Sequence, residues 1–161
     1  MALIVEDGTG LSNAESYIST IYARTYHAAR GNAVWADLTV AEMEEALRKA
    51  TDYMVSEYRF RWVGDRVKIT QSLDWPRGGV LNVDVDDIPE EVKKACAEFA
   101  LKSLSGQLLD DLSQSVIAKS VGPLSVSYDR NSSQRKRYIF IDSLLSVYLC
   151  SIGYAHTRLA R

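Results

Sequence analysis

One segment constrains the fold more than any other. From Thr39 to about Glu57, Val40, Met43, Ala46/Leu47, Ala50 and Tyr53/Met54 recur every three or four residues. That spacing returns apolar side chains to one side of a helix. Thr39-Val40-Ala41-Glu42 opens it as a capping box, the hydroxyl accepting from the third amide while the glutamate reaches back. The apolar stripe needs partners. A chain of 161 residues, 47% hydrophobic and 25% charged, is long enough for one core and short for two.

Three further helices are expected. Ser12-Asn13-Ala14-Glu15 reads as a capping box for a helix to about Arg30, with Tyr17, Ile18, Ile21 and Tyr22 on its apolar side and Gly31 as a left-handed cap. Ile88-Pro89-Glu90-Glu91 starts another, with Pro89 suited to its first position and Val92, Ala95/Cys96, Phe99/Ala100 and Leu104 on its apolar face. Tyr138 to about Leu149 reads as a last helix carrying Ile141, Leu144/Leu145 and Tyr148. Residues 1–11 read as an extended arm, and 58–87 as a long loop in which the helical period disappears. Val116–Ser120 and Leu124–Tyr128 alternate as a hairpin. The fold class is therefore mainly α: a small bundle of about four helices, with a long irregular loop and a short β-hairpin. Residues 1–150 read as one domain and 151–161 as a separate tail.

No catalytic constellation emerges, so the reading is non-enzymatic, without cofactor or metal. Asp7-Gly8-Thr9-Gly10 precedes a helix but lacks the lysine and the strand of a phosphate loop. Asp84, Asp86 and Asp87 lack the glycine and closing glutamate of a calcium loop, so an acidic linker is preferred. Cys96 and Cys150 fit no zinc spacing, and Cys96 reads as a small buried hydrophobe. Only His27 and His156 could serve as an imidazole base, and neither sits in a motif. No apolar run approaches the ~20 residues of a membrane span, and the N-terminus has no basic segment ahead of a long apolar one, so synthesis inside the cell is the expectation.

Charge says more than the net of −2. Residues 1–57 hold 9 acids and 4 bases, 58–80 hold 2 and 5, 81–112 hold 8 and 3, and 113–161 hold 2 and 7. An acidic body with a basic C-terminal third suits head-to-tail stacking, or an anionic partner at one end. Three features follow. Tyr58-Arg59-Phe60-Arg61-Trp62 interleaves aromatics with arginines, as single-strand grooves do; a core-facing strand looks the same, and for Trp62 and Trp75 the core-anchor reading is preferred. Lys119, Arg130, Arg135, Lys136 and Arg137 form a basic loop region. The tail ends in Ile152, Tyr154, His156, Arg158, Leu159 and Arg161, apolar and basic with nothing downstream to pack on, which reads as a docking peptide.

A family resemblance rests on ordered segments: Ala2-Leu3-Ile4-Val5-Glu6-Asp7-Gly8-Thr9-Gly10-Leu11 with Asn13-Ala14-Glu15-Ser16-Tyr17, then Tyr26–Asn32, Arg48–Tyr53, Gln71-Ser72-Leu73-Asp74-Trp75-Pro76-Arg77, Ile88-Pro89 and Val121-Gly122-Pro123-Leu124. Over roughly residues 2–128 the chain resembles small tailed-phage proteins labelled "DnaT-like single-stranded DNA-binding protein". In size and helical architecture such proteins are similar to the head–tail connectors, or adaptors, of long-tailed phages. The resemblance implies a virion protein of the phage neck, made in the bacterial host cytoplasm, forming a ring of typically twelve copies beneath the portal, with genomic double-stranded DNA passing through the lumen. It implies portal docking by the C-terminal segment, and loop or hairpin contacts with neighbours and with a tail-side neck or tail terminator protein. No membrane partner is implied. The alternative reading is a single-stranded DNA-binding replication accessory using Tyr58, Arg59, Phe60, Arg61 and Trp62.

Overall fold

The computed structural model describes residues 2–109, 116–120, 125–128 and 136–150. Helices α1 (Thr20–Ala28), α2 (Ala33–Ala36) and α3 (Val40–Tyr58) are followed by β1 (Asp65–Arg66), β2 (Arg77–Gly78) and α4 (Glu90–Ser103). Strands β3 (Val116–Ser120) and β4 (Ser125–Tyr128) come next, then α5 (Ile139–Leu145), which tightens into a 3-10 turn at Ser146–Tyr148. The architecture is mainly helical with a two-stranded antiparallel hairpin, as the apolar periods predict.

The central helix forms for the reason read in the sequence. The Glu42 amide donates to Thr39 Oγ1 at 3.3 Å and the Thr39 amide to Glu42 Oε2 at 2.8 Å, closing the capping box. Met43, Ala46, Leu47, Ala50, Tyr53 and Met54 are all buried, chiefly where α3 packs on α4. The small residues Ala95, Ala97 and Ala100 of α4 are buried with Val92 and Phe99.

Several boundaries differ from expectation. The first helix begins at Thr20, capped by Ser19, whose hydroxyl accepts from the Tyr22 amide. Ser12 caps nothing there: Glu15 accepts instead from the Ile4 amide and from Arg48 at 3.0 Å, tying the arm to α3. A tertiary ion pair outcompetes the local cap. Between α1 and α3, Trp35 sits fully buried on its own short helix. Pro89 occupies the N-cap of α4 rather than its first position, and α4 ends at Ser103 with Leu104 as its C-cap. The arm is not a strand; it makes one parallel bridge, Val5 to Ser16. In the hairpin, Lys119 pairs with Val126 and Ser120 with Ser125.

α5 closes the core with Ile141 and Leu145. The last described residues turn back on the exit of α3: the Val63 amide donates to Tyr148 O at 2.9 Å and the Cys150 amide to Arg61 O at 2.7 Å.

Candidate functional site

The sequence offered three candidate surfaces. In Tyr58–Trp62, the chain leaves α3 still nearly helical, so Tyr58 and Trp62 face the same way and Phe60 the other. Tyr58 and Trp62 are buried, with ring centroids 5.7 Å apart. The Tyr58 hydroxyl donates to Asp142 at 2.6 Å, and burial together with that carboxylate pushes its pKa well above the usual phenol range. Trp62 stacks edge-on against Trp75, which in turn meets Tyr148. Phe60 alone of the three rings is presented to solvent, 91% exposed. Arg59 holds Asp74 at 2.9 Å and Arg61 holds Glu57 at 3.4 Å. Both arginines are thus partly neutralised.

Of the basic loop, Lys136 is half-buried, donating to Gln107 O at 3.1 Å, and Arg137 is exposed. Lys119 belongs to β3. Arg130 and Arg135 lie outside the described residues, as do Ile152, Tyr154, His156, Arg158, Leu159 and Arg161.

The structure explains two motifs that resisted a chemical reading. The amides of Gly8, Gly10 and Leu11, which would cradle a phosphate in a nucleotide loop, all donate to the carboxylate of Glu6 at 2.8–3.1 Å. The chain supplies its own anion. Gln71–Arg77 is a latch that fastens the long loop to the bundle. The Gln71 side-chain Nε2 donates to Leu73 O and Pro76 O, and the Ser72 hydroxyl to Ala14 O. The Asp74 amide donates to the Tyr17 hydroxyl. The Trp75–Pro76 bond is cis, and Trp75 is fully buried. The Arg77 guanidinium, itself buried, spans the carbonyls of Val63, Gly64 and Asp74, and burial lowers its pKa from the usual arginine value.

Nothing among the described residues resembles a reaction centre. No group of three or more His, Cys, Asp or Glu there is placed to hold a metal ion. His27 is fully buried, with Nε2 against Ala97 O at 3.2 Å and Nδ1 against Asn32 Nδ2 at 3.0 Å. Since Ala97 O can only accept, the proton sits on Nε2 and Nδ1 accepts from Asn32. Burial holds its pKa below the ordinary value. Cys96 lies between Ser16 and Thr51, its thiol pushed up by burial. A hollow of about 500 Å³ opens between α3 and the end of α4, walled by Tyr53, Leu104 and Leu108. Its lysine, Lys49, is already paired with Glu45 at 2.6 Å, and its acid, Asp52, has a pKa raised mainly by burial.

What the surface does offer is apolar. Ile21, Val34 and Val40 are exposed at one end of α3, and Phe60, Ile139, Phe140 and Val147 at the other, while Ile69 and Leu81 stand out from the long loop. These features describe a latched helical body that carries outward apolar side chains among its described residues. The chain belongs to the family described as "Putative DnaT-like ssDNA binding protein", which matches it over residues 1–161 and so includes the tail beyond the segments that carried the resemblance. No curated protein and no solved structure matches the chain significantly. No helix among the described residues is long and apolar enough to cross a membrane.

Proposed function

We propose that the chain is a structural subunit of a tailed-phage particle: a head–tail connector that assembles with its own copies between portal and tail, surrounds the DNA path and performs no bond chemistry. One observation carries this reading. A body whose core is already complete still places large apolar side chains in water at both ends of its longest helix. Exposed apolar patches of this kind mark interaction surfaces. The opposite charge of the chain's two ends supports heterologous contacts, which close into a ring when the rotation per copy allows. The tail that would dock on the portal begins just after Cys150, a residue anchored to Arg61.

The proposed setting is the virion neck, with subunits made in the host cytoplasm. The partners are further copies, typically twelve, the portal, and a tail-side neck or tail terminator protein. Removing Ser151–Arg161 abolishes portal binding while the subunit keeps its thermal unfolding, and mass spectrometry finds the chain in purified particles. A truncated protein that binds portal normally, or particles without the chain, overturns the proposal.

The family's description favours a second reading, single-stranded DNA binding. The residue that supports it is Phe60, an exposed ring between two arginines. Because Trp62 is buried, its fluorescence is a poor reporter of binding. Anisotropy of a labelled oligonucleotide, lost on Phe60→Ser, is the suitable assay.

A further inference from the structure

Between Tyr138 and Cys150 one side chain is a formal charge, Asp142, and the Tyr58 hydroxyl engages it at 2.6 Å. Ile141 and Leu145 point into the core, yet Ile139, Phe140 and Val147 are 67–77% exposed. The solvent side also carries Ser143 and Ser146, but three large apolar side chains left in water on so short a segment mark a surface that another surface covers. At the other end of α3, Ile21, Val40, Arg24, Thr20 and Thr25 line a surface hollow of about 200 Å³. An apolar cavity of about 150 Å³ suffices for a benzene ring. Arg24 in its wall provides a guanidinium suited to an aromatic face.

Asp37 and Glu42, within three residues of Val40 in the chain, are exposed, as is Arg137 at the start of α5, so acidic side chains accompany the hollow, whose wall also holds Arg24, and a basic one accompanies the knob. The hollow adjoins Val40, the first residue of α3, whereas α5 is bonded to Tyr58, the last. The helix between them is 19 residues long, which separates knob from hollow by about 27 Å at ~1.5 Å per residue. One subunit therefore cannot satisfy itself.

We propose that Phe140 of one copy seats in the Ile21–Arg24–Val40 hollow of a second copy, giving a head-to-tail contact that repeats from subunit to subunit. This rests on the assembly reading above and names its surfaces. The contact is heterologous, so each copy has one knob and one hollow left to extend the array.

The experiment is sedimentation velocity on the full chain, with Phe140→Glu and Ile21→Glu. The wild type associates with concentration. Each variant alone associates at least about thirtyfold more weakly, the loss expected of a central aromatic or its pocket. Both positions are exposed, so thermal unfolding stays at the wild-type temperature and reports that the fold is intact. The two variants mixed in equal amounts form a one-to-one pair and nothing larger, because one intact knob meets one intact hollow. A wild type that is monomeric up to about 1 mM, a variant that associates normally, or a mixture that fails to pair overturns the proposal. So does loss of association on deleting Ser151–Arg161, which would make the tail the occupant of the hollow. Portal binding by Phe140→Glu is scored separately, so failure of this contact leaves the connector reading standing.

Discussion

Arg77→Met tests whether the latch holds the long loop. Three carbonyls accept from the buried guanidinium, and hydrogen bonds from a charged donor contribute about 1.5–3 kcal/mol each. Two costs oppose them. Ordering the side chain takes about 2 kcal/mol, and burying a cation away from water takes several more. What remains is dominated by the carbonyls that methionine orphans, at about 1–3 kcal/mol for each that cannot reach water. Val63 O and Gly64 O lie on one side of the loop and Asp74 O on the other, so their loss frees both strands of the β1–β2 pair. The expected loss is about 3–4 kcal/mol, or roughly 6–16 °C in Tm for a chain of this size. Arg77→Lys recovers little, because an ammonium lacks the fork that reaches three acceptors. Urea unfolding followed by the buried Trp62 and Trp75 measures the global loss. Trypsin cleavage after the exposed Arg66 and Lys68 measures local release of the loop. Stability within about 1 kcal/mol of wild type, with Arg66 and Lys68 still protected, would refute the reasoning.

Three other outcomes are expected. His27 is held neutral, its pKa lowered by burial, with the Glu98 carboxylate favouring and the Arg30 guanidinium opposing its charged form. Well above its ordinary value of 6.5 both states are neutral; below it the unfolded chain binds the proton first, so stability falls as the pH drops below 6.5 and stops falling once the folded imidazole also protonates. In denaturant titrations His27→Gln removes that slope, and an unchanged slope refutes it. Gly64→Ala, at φ +71° with a new Cβ set against Gly78 O and Val80, costs at least about 2 kcal/mol by calorimetry. Tyr58→Phe strips Asp142 of its partner and costs about 1–3 kcal/mol in urea, with hydrogen exchange of α5 rising first.

The helical frame was legible in the sequence because it is local. Thr39 and Glu42 meet within one turn, and the apolar period of α3 is written along its own length. The start of the first helix was not legible, because Glu15 is drawn from a local cap to Arg48, 33 residues away. Gln71–Arg77 stood out as a motif, but its role depends on acceptors at Val63, Gly64 and Ala14 that no spacing rule places nearby. Tyr58–Trp62 misled through its period: read with a period of two it puts three rings on one side, whereas the helical exit of α3 turns Phe60 away from Tyr58 and Trp62. The hollow beside Val40 left no signal, since Ile21 and Val40 come from different helices and look like core residues of each.

The two functional readings can be separated by affinity. Micromolar binding needs about 8 kcal/mol, while one base stacked on an aromatic ring contributes about 1–3 kcal/mol. Among Tyr58–Trp62 only Phe60 has a free face, and Arg59 and Arg61 already hold Asp74 and Glu57. A single subunit using this segment falls short of about 4 kcal/mol, which is millimolar binding. Several copies on one strand avoid that limit, because each later contact forms at the effective concentration set by the array. On the proposed assembly, DNA binding through Phe60 would therefore belong to the array rather than to the single subunit. Fluorescence anisotropy with a labelled oligonucleotide should show weak, steeply salt-dependent binding for the monomeric Phe140→Glu protein and far tighter binding for the assembled wild type. Micromolar binding by the monomer, unchanged when Phe60 becomes serine, would place the bases on another surface and refute the argument.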